Sequence, residues 1–347
     1  MSINIGINGF GRIGRVIARI LSTKKKFKIV LINEIDEDVN NLAYLFKYDS
    51  HYGKFNGSVS TNKKTIKINK NKIDITNIEK VENIPLKKKK VDILIDASGV
   101  DTNVNSAKKV LKQGVKKVIV THSPKKNVDF TMIMGVNEKK YKNDIHNIIS
   151  SSICDATAIA PVLNQIEKNW GIESGFITTL HSRLSYQNLL DGSVRSISSP
   201  GHKWKDYSLG RNSMASLIPK KTTAVDAVIR TIPCLEGKLA GLSFRVPTAI
   251  VCGSDLTIKL KKNVSLLEVK KFLNLTAKKN SKIFEFQTEP LVSIDHLKTT
   301  KSSIIDSNYI DVLNSDLLKL VIWYDNEWGY GNRVVDILNY ITTKNRN

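Results

Sequence analysis

Ile3-Asn4-Ile5-Gly6-Ile7-Asn8, followed at once by Gly9-Phe10-Gly11-Arg12-Ile13-Gly14, decides the fold of the first half of this chain. The first six residues form a short β-rich run, and Ile13–Ser22 carries helical periodicity, so the glycines stand on a strand-to-helix turn. A GxGxxG match alone is weak, but in this context each glycine has a distinct use. Gly9 permits the tight turn, Gly11 lets the backbone approach a pyrophosphate, and Gly14 lets the helix pack on the strand. The helix N-terminus then faces the phosphates. An acidic residue is expected about 20 residues further on, near the end of the second strand. Glu34 stands there, directly after the strand-like Phe27–Asn33. Its carboxylate can accept both ribose hydroxyls and would repel a 2′-phosphate, which favours NAD over NADP.

Working outward, Val91–Ala97 and Lys117–Val120 read as further strands with a helix-like Asn105–Gln113 between them. Strands alternating with helices imply right-handed βαβ units and a parallel sheet. Thr65–Ile75 reads as an extended hairpin at the sheet margin. After Cys154 the pattern changes. Ala156–Trp170 reads as a helix, and Gly175–His181, Leu239–Val246, Val251–Lys259 and Leu318–Tyr324 read as longer strands. Strands with few helices between them predict a mostly antiparallel second sheet. A long Ser-, Gly- and Arg-rich segment runs from His181 to Pro219, and Arg333–Thr343 reads as a C-terminal helix. Loops of that length in compact domains are usually functional or interfacial. The chain is therefore expected to join an α/β domain to an α+β domain.

The bulk properties exclude several classes. The 347 residues suffice for about two domains. No apolar run approaches the roughly 20 residues of a membrane helix. The N-terminal residues lack the basic start of a signal peptide, so a cytoplasmic location is expected. The three cysteines, Cys154, Cys234 and Cys252, have neither metal-type spacing nor a disulfide framework, and no metal is expected. The net charge of +22 invites a nucleic-acid reading, but only 10 of the 54 basic residues are Arg and the Lys residues are spread along the whole length. Arg carries most base readout, so nucleic acid is not the expected partner.

Ile7-Asn8-Gly9-Phe10-Gly11-Arg12-Ile13-Gly14-Arg15 resembles the start of the glyceraldehyde-3-phosphate dehydrogenase family, which includes erythrose-4-phosphate dehydrogenase. Trp323-Tyr324-Asp325-Asn326-Glu327-Trp328-Gly329-Tyr330, Leu45-Phe46-Lys47-Tyr48-Asp49-Ser50 and Phe244-Arg245-Val246-Pro247-Thr248 extend the resemblance over essentially the whole chain. The resemblance implies a Rossmann NAD-binding domain over residues 1–153 and a catalytic domain over 154–322. Residues 323–347 would form a C-terminal helix returning to the first domain. It further implies a homotetramer in which the loop after His181 reaches a neighbour's cofactor. By resemblance, the cofactor contacts are Gly9, Gly11, Arg12, Ile13, Gly14, Glu34, Ser98, Gly99, Thr121, Asn326 and Tyr330. Asn33-Glu34 and Gly171-Ile172-Glu173-Ser174-Gly175 lean toward the erythrose-4-phosphate branch.

By the same resemblance Cys154 is the nucleophile and His181 its base. A thiolate would attack an aldehyde, His181 would take the hydroxyl proton as hydride leaves, and a thioester would form. His181 and the helix dipole would hold Cys154 as a thiolate. The surroundings depart from the family pattern Ser-Asn-Ala-Ser-Cys-Thr-Thr-Asn-Cys, because the chain reads Ser150-Ser151-Ser152-Ile153-Cys154-Asp155-Ala156-Thr157-Ala158. Asp155 stands where the family residue helps bind the attacking phosphate. Two like charges about 4 Å apart repel by roughly 1 to 4 kcal/mol, depending on the local dielectric. Leu184 and Leu209 replace anion-binding residues, while Thr222 and Arg245 are retained and Arg183, Lys220 and Lys221 are new basic residues nearby. Asp155, Arg183, Thr222 and Arg245 are thus the expected substrate contacts. The expected activity is NAD-dependent oxidation of a phosphorylated, glyceraldehyde 3-phosphate-like aldehyde. The alternatives are an erythrose-4-phosphate-type non-phosphorylating enzyme and a regulatory NAD-binding protein without catalysis.

Overall fold

A computed structural model describes residues 2–194 and 206–343 of the chain. Residues 195–205, the middle of the long segment after His181, lie outside the described residues, and so does any contact of theirs with a neighbour's cofactor. The chain forms two compact units. One holds the residues up to Met132, Lys139–Ser152 and the chain from Gly331 on; the other holds Ile133–Glu138 and Ile153–Tyr330.

The first unit is built on a nine-stranded sheet. Its strands in chain order are β1 (Ile3–Asn8), β2 (Phe27–Asn33), β3 (Val59–Asn62), β4 (Thr65–Ile68), β5 (Asn71–Thr76), β6 (Ile93–Asp96), β7 (Lys117–Val120), β8 (Phe130–Thr131) and β9 (Ile148–Ser150). They lie in the order β3-β4-β5-β2-β1-β6-β7-β9-β8. Every pair is parallel except β3·β4 and β4·β5, which make the expected hairpin at the margin. The helices are α1 (Arg12–Leu21), α2 (Val39–Lys47) and α3 (Asn103–Lys112). In β1 Ile alternates with Asn and Gly, yet Ile5, Gly6, Ile7 and Asn8 are all buried, as befits a central strand covered on both faces. The chain goes from β1 to β2 on one side and returns to β6 on the other. That reversal places the ends of β1 and β6 side by side at a topological switch point, where open α/β sheets bind ligands.

The second unit opens on α4 (Cys154–Trp170). It continues through β10 (Ile172–Ser182), β11 (Ile218–Lys221), α5 (Ala224–Thr231), β12 (Leu239–Val246), β13 (Cys252–Leu260), α6 (Leu266–Lys279), β14 (Phe284–Gln287), β15 (Ser303–Leu313) and β16 (Leu317–Tyr324). α7 (Trp328–Thr343) follows, and from Gly331 on it belongs to the first unit. The sheet order is β11-β12-β10-β13-β16-β15-β14. β10·β12 and β14·β15 are parallel and the remaining pairs antiparallel, so the sheet is mixed but mostly antiparallel. The core forms where α4 lays Ala156, Ile159, Ala160 and Leu163 against Leu256, Leu320 and Ile322 of the sheet. The second half is richer in helices than the sequence reading allowed. α6 carries a legible start: Ser265 accepts from the Glu268 amide at 3.2 Å, the Ser-x-x-Glu signature of a helix N-terminus. Among the described residues no helix is long and apolar enough to cross a membrane.

Candidate active site

At the switch point of the first unit, Gly9 adopts φ +88°. A Cβ there would lie 2.5 Å from the Ser98 backbone, so only glycine lets the loop after β1 touch the loop after β6. A Cβ on Gly14 would stand 2.1 Å from the Gly9 carbonyl oxygen, which fixes the close helix–strand contact. Gly11 has no heavy atom within 4 Å of where a Cβ would be, and as N-cap it brings no side chain to the first turn of α1. The turn at Arg12 and Ile13 is thus open on the side where a pyrophosphate would meet the helix N-terminus. The Arg12 side chain is held by Asp49 at 2.6 Å.

Glu34 closes this cradle. One carboxylate oxygen accepts from the Phe10 amide and the other from the Ile35 amide at 2.8 Å, so the acid lies against the glycine loop. Behind it is a buried network that the sequence did not reveal. Asn33 Nδ2 donates to Asn8 Oδ1 at 2.8 Å, and Asn8 Nδ2 donates to Asp96 Oδ1 at 3.0 Å. Ser98 Oγ donates to the same Asp96 oxygen at 2.7 Å, Gly99 takes φ +70°, and the Thr121 amide donates to the Asp96 carbonyl at 3.0 Å. Burial raises the Asp96 carboxyl even with the Ser98 and Asn8 donors on it. Together these bonds lock the ends of β1, β2 and β6. These residues fit a dinucleotide.

In the second unit, Cys154 is the first residue of α4. Ile153 is the N-cap and supplies no side-chain hydrogen bond, so the positive end of the helix acts on Cys154 and Asp155. His181 comes from β10 and Arg245 stands beside it in the parallel register of β12. His181 Nε2 lies 3.6 Å from Cys154 Sγ, and its Nδ1 lies 2.6 Å from the Ser182 carbonyl oxygen. That carbonyl accepts only from a protonated Nδ1, so Nε2 presents its lone pair to the thiol.

Asp155 is drawn into the same cluster. Only 6% exposed, it lies with Oδ1 3.5 Å from Cys154 Sγ and 3.8 Å from His181 Nε2. Tyr324 Oη donates to that oxygen at 2.8 Å and shares a 3.2 Å contact with Ser254 Oγ. Tyr324 lies within a quoted motif, but its role here was missed. It depends on β16 lying beside β13, with Cys252 opposite Tyr324.

The expected thiolate–imidazolium pair is corrected. Burial pushes the Cys154 thiol well up, with the Asp155 carboxylate and Cys252 adding to the rise and Arg245 opposing it. Burial lowers His181 to about 4, against the pull of Asp155. Both shifts run toward the neutral thiol and the neutral imidazole and away from the ion pair, because burial disfavours each charge.

The remaining sequence candidates are spread more widely. Arg245 Nε and Nη1 are buried and meet no hydrogen-bond acceptor among the described residues, which leaves a cation oriented for an anion. Arg183 directs Nη1 to the Met214 thioether. Thr222 Oγ1 accepts from the Ala224 amide at 3.0 Å, starting α5. Lys220 reaches the Tyr186 hydroxyl at 3.3 Å. Leu209 is buried with Val194 and Ile218, a small apolar cluster that an Arg could not enter unpaired. Asn326 is buried and accepts from Ser182 Oγ at 3.3 Å, while Tyr330 is buried near the start of α7.

A dinucleotide cradle on one sheet, and a cysteine with a lone-pair-bearing imidazole at a helix start on another, define an NAD-dependent dehydrogenase of the cysteine-nucleophile type. Residues 3–104 match the glyceraldehyde 3-phosphate dehydrogenase NAD binding domain, and residues 152–326 match the C-terminal domain of the same enzyme. The chain is 40% identical to a glyceraldehyde-3-phosphate dehydrogenase of Wickerhamomyces ciferrii, over 99% of this chain and 100% of that relative. It is 38% identical to glyceraldehyde-3-phosphate dehydrogenase 2 of Saccharomyces cerevisiae and 38% identical to the Geobacillus stearothermophilus enzyme, with at least 98% of each chain covered. The chain belongs to the glyceraldehyde 3-phosphate dehydrogenase family, and NAD is its cofactor.

Proposed function

We propose that this chain oxidises a glyceraldehyde 3-phosphate-like aldehyde with NAD, using Cys154 as nucleophile and His181 as base. The observation that carries this reading is the 3.6 Å approach of Cys154 Sγ to an unprotonated His181 Nε2. His181 relays the thiol proton to the aldehyde oxygen as Sγ adds to the carbonyl carbon, giving a thiohemiacetal. His181 then takes the hydroxyl proton as the thioester forms. Asp155, 3.8 Å away, stabilises the imidazolium at that moment. NAD, when bound, supplies the hydride acceptor. Gly9, Gly11, Arg12, Ile13, Gly14, Glu34, Ser98, Gly99, Thr121, Asn326 and Tyr330 are the residues proposed to hold it. Arg245, with Thr222 and Arg183, would take the substrate's anionic group.

The same Asp155 favours water over phosphate as acyl acceptor. Its buried carboxylate 3.5 Å from Sγ repels a phosphate dianion but can receive a proton from water. Hydrolysis would release the acid and regenerate the thiol. NADH formation from glyceraldehyde 3-phosphate and from erythrose 4-phosphate, with and without inorganic phosphate, tests both parts. Turnover independent of phosphate supports release by water. Strict phosphate dependence overturns it while leaving the dehydrogenase reading intact.

We further propose the division into residues 1–153, 154–322 and 323–347, a homotetramer, and a cytoplasmic location. A relative in Gracilaria gracilis is named as cytosolic. Phe176, 71% exposed, and Leu180 on β10, with Leu242 on the neighbouring β12, form an apolar face of the second sheet that a second copy would cover. Mass determination in solution tests the tetramer.

A further inference from the structure

We propose that Cys154, His181 and Asp155 form a binding site for a zinc-class divalent cation, which would cap the nucleophile and hold the enzyme inactive. The proposal rests on the triangle formed by three donor atoms. Sγ to Nε2 is 3.6 Å, Sγ to Oδ1 is 3.5 Å, and Nε2 to Oδ1 is 3.8 Å. A tetrahedral zinc, with Zn–S of about 2.3 Å and Zn–N and Zn–O of about 2.0 Å, requires ligand atoms roughly 3.3–3.6 Å apart. Two edges already match, and the third closes by a few tenths of an ångström. All three donors lie within 4.8 Å of one another. They come from two elements, the first turn of α4 and the end of β10, so no spacing motif announces them.

The surroundings are those of a ligand set. His181 uses Nδ1 on a backbone carbonyl, the usual outer partner of a metal-binding imidazole, and so turns the Nε2 lone pair inward. Tyr324 Oη orients the carboxylate at 2.8 Å. Cys154 is partly exposed, which leaves an entry path. Arg245 opposes the cation by charge. Binding forms an S–metal bond as the thiol proton leaves to solvent; no electrons are transferred. Asp155 is the decisive member, since it turns a two-donor catalytic pair into a three-donor site.

The test uses the full chain, stripped with a chelator and titrated anaerobically with Co2+. The expected result is a thiolate-to-cobalt absorption in the near ultraviolet with four-coordinate visible bands, at one ion per chain, abolished by Zn2+. Zn2+ should also slow alkylation of Cys154 at least tenfold, read by peptide mass, while Cys234 labels unchanged. Asp155→Asn should weaken the ion about ten- to a hundredfold or more, with an unaltered thermal transition as the folding control. The Cys234→Ser variant should bind as the parent does. Absence of the thiolate band, its survival in Cys154→Ser, or equal affinity in Asp155→Asn overturns the site. If Asp155→Asn does not fold, the parent chain's cobalt spectrum and Cys154 protection decide alone. None of these readouts needs substrate or NAD, so the dehydrogenase reading stands or falls separately.

Discussion

Tyr324 Oη donates a 2.8 Å hydrogen bond to Asp155 Oδ1, and so fixes a carboxylate 3.5 Å from Cys154 Sγ. The strand that ends at Tyr324 thereby sets the chemistry of a helix start far from it in sequence. It holds in place a carboxylate that adds to the rise that burial imposes on the thiol.

Removing that charge should waken the cysteine. Asp155→Asn should increase alkylation of Cys154 at neutral pH by about fivefold or more, the lower end of a 1 to 4 kcal/mol interaction at this distance. In the parent chain, Cys154 should label more slowly than the exposed Cys234. Rates read by peptide mass check both, and an unchanged rate in the variant would refute the role given to Asp155.

Acid should destabilise the fold through His181. Its pKa of about 4 lies below the ordinary 6.5, so the native state holds the imidazole neutral. That contribution is whole above pH 6.5 and is lost as pH falls toward 4, amounting to about 3 kcal/mol. Denaturant unfolding across that range should show the slope, and His181→Gln should flatten it.

Gly9→Ala should cost about 1–3 kcal/mol from the positive φ alone, with more from the 2.5 Å contact against Ser98. Because the displaced backbone belongs to the loops proposed to hold NAD, NAD affinity should fall with the melting temperature. Calorimetry with NAD and thermal unfolding measure the two losses.

Arg245→Ala should raise KM for a phosphorylated aldehyde ten- to a hundredfold and leave an uncharged aldehyde nearly unaffected. Stability should hold or rise, because the guanidinium's Nε and Nη1 have no acceptor among the described residues. Steady-state kinetics with the two substrate classes, beside a melting curve, distinguish an anion contact from a structural one.

The sequence by itself determined the elements whose residues are neighbours along the chain. Ile3–Asn8, Gly9, Gly11 and Gly14 specified a strand, a turn and a helix because backbone freedom and hydrophobic period are local properties. The long motifs around Gly9 and Trp323 likewise carried the family and the cofactor. β14, β15 and α6 escaped, although Ser265 and Glu268 marked one of them, because short apolar runs read alike as helix or strand.

Only the tertiary structure decided how the site behaves. Cys154 and Asp155 are adjacent in sequence, but nothing in that adjacency says that Asp155 turns inward. Tyr324 must arrive from β16, His181 from β10 and Arg245 from β12 before the carboxylate is buried and bonded. The sequence predicted an ion pair; burial in the fold shifts both the thiol and the imidazole toward their neutral forms. The reason is that desolvation, unlike charge order along a chain, depends on everything packed around a group.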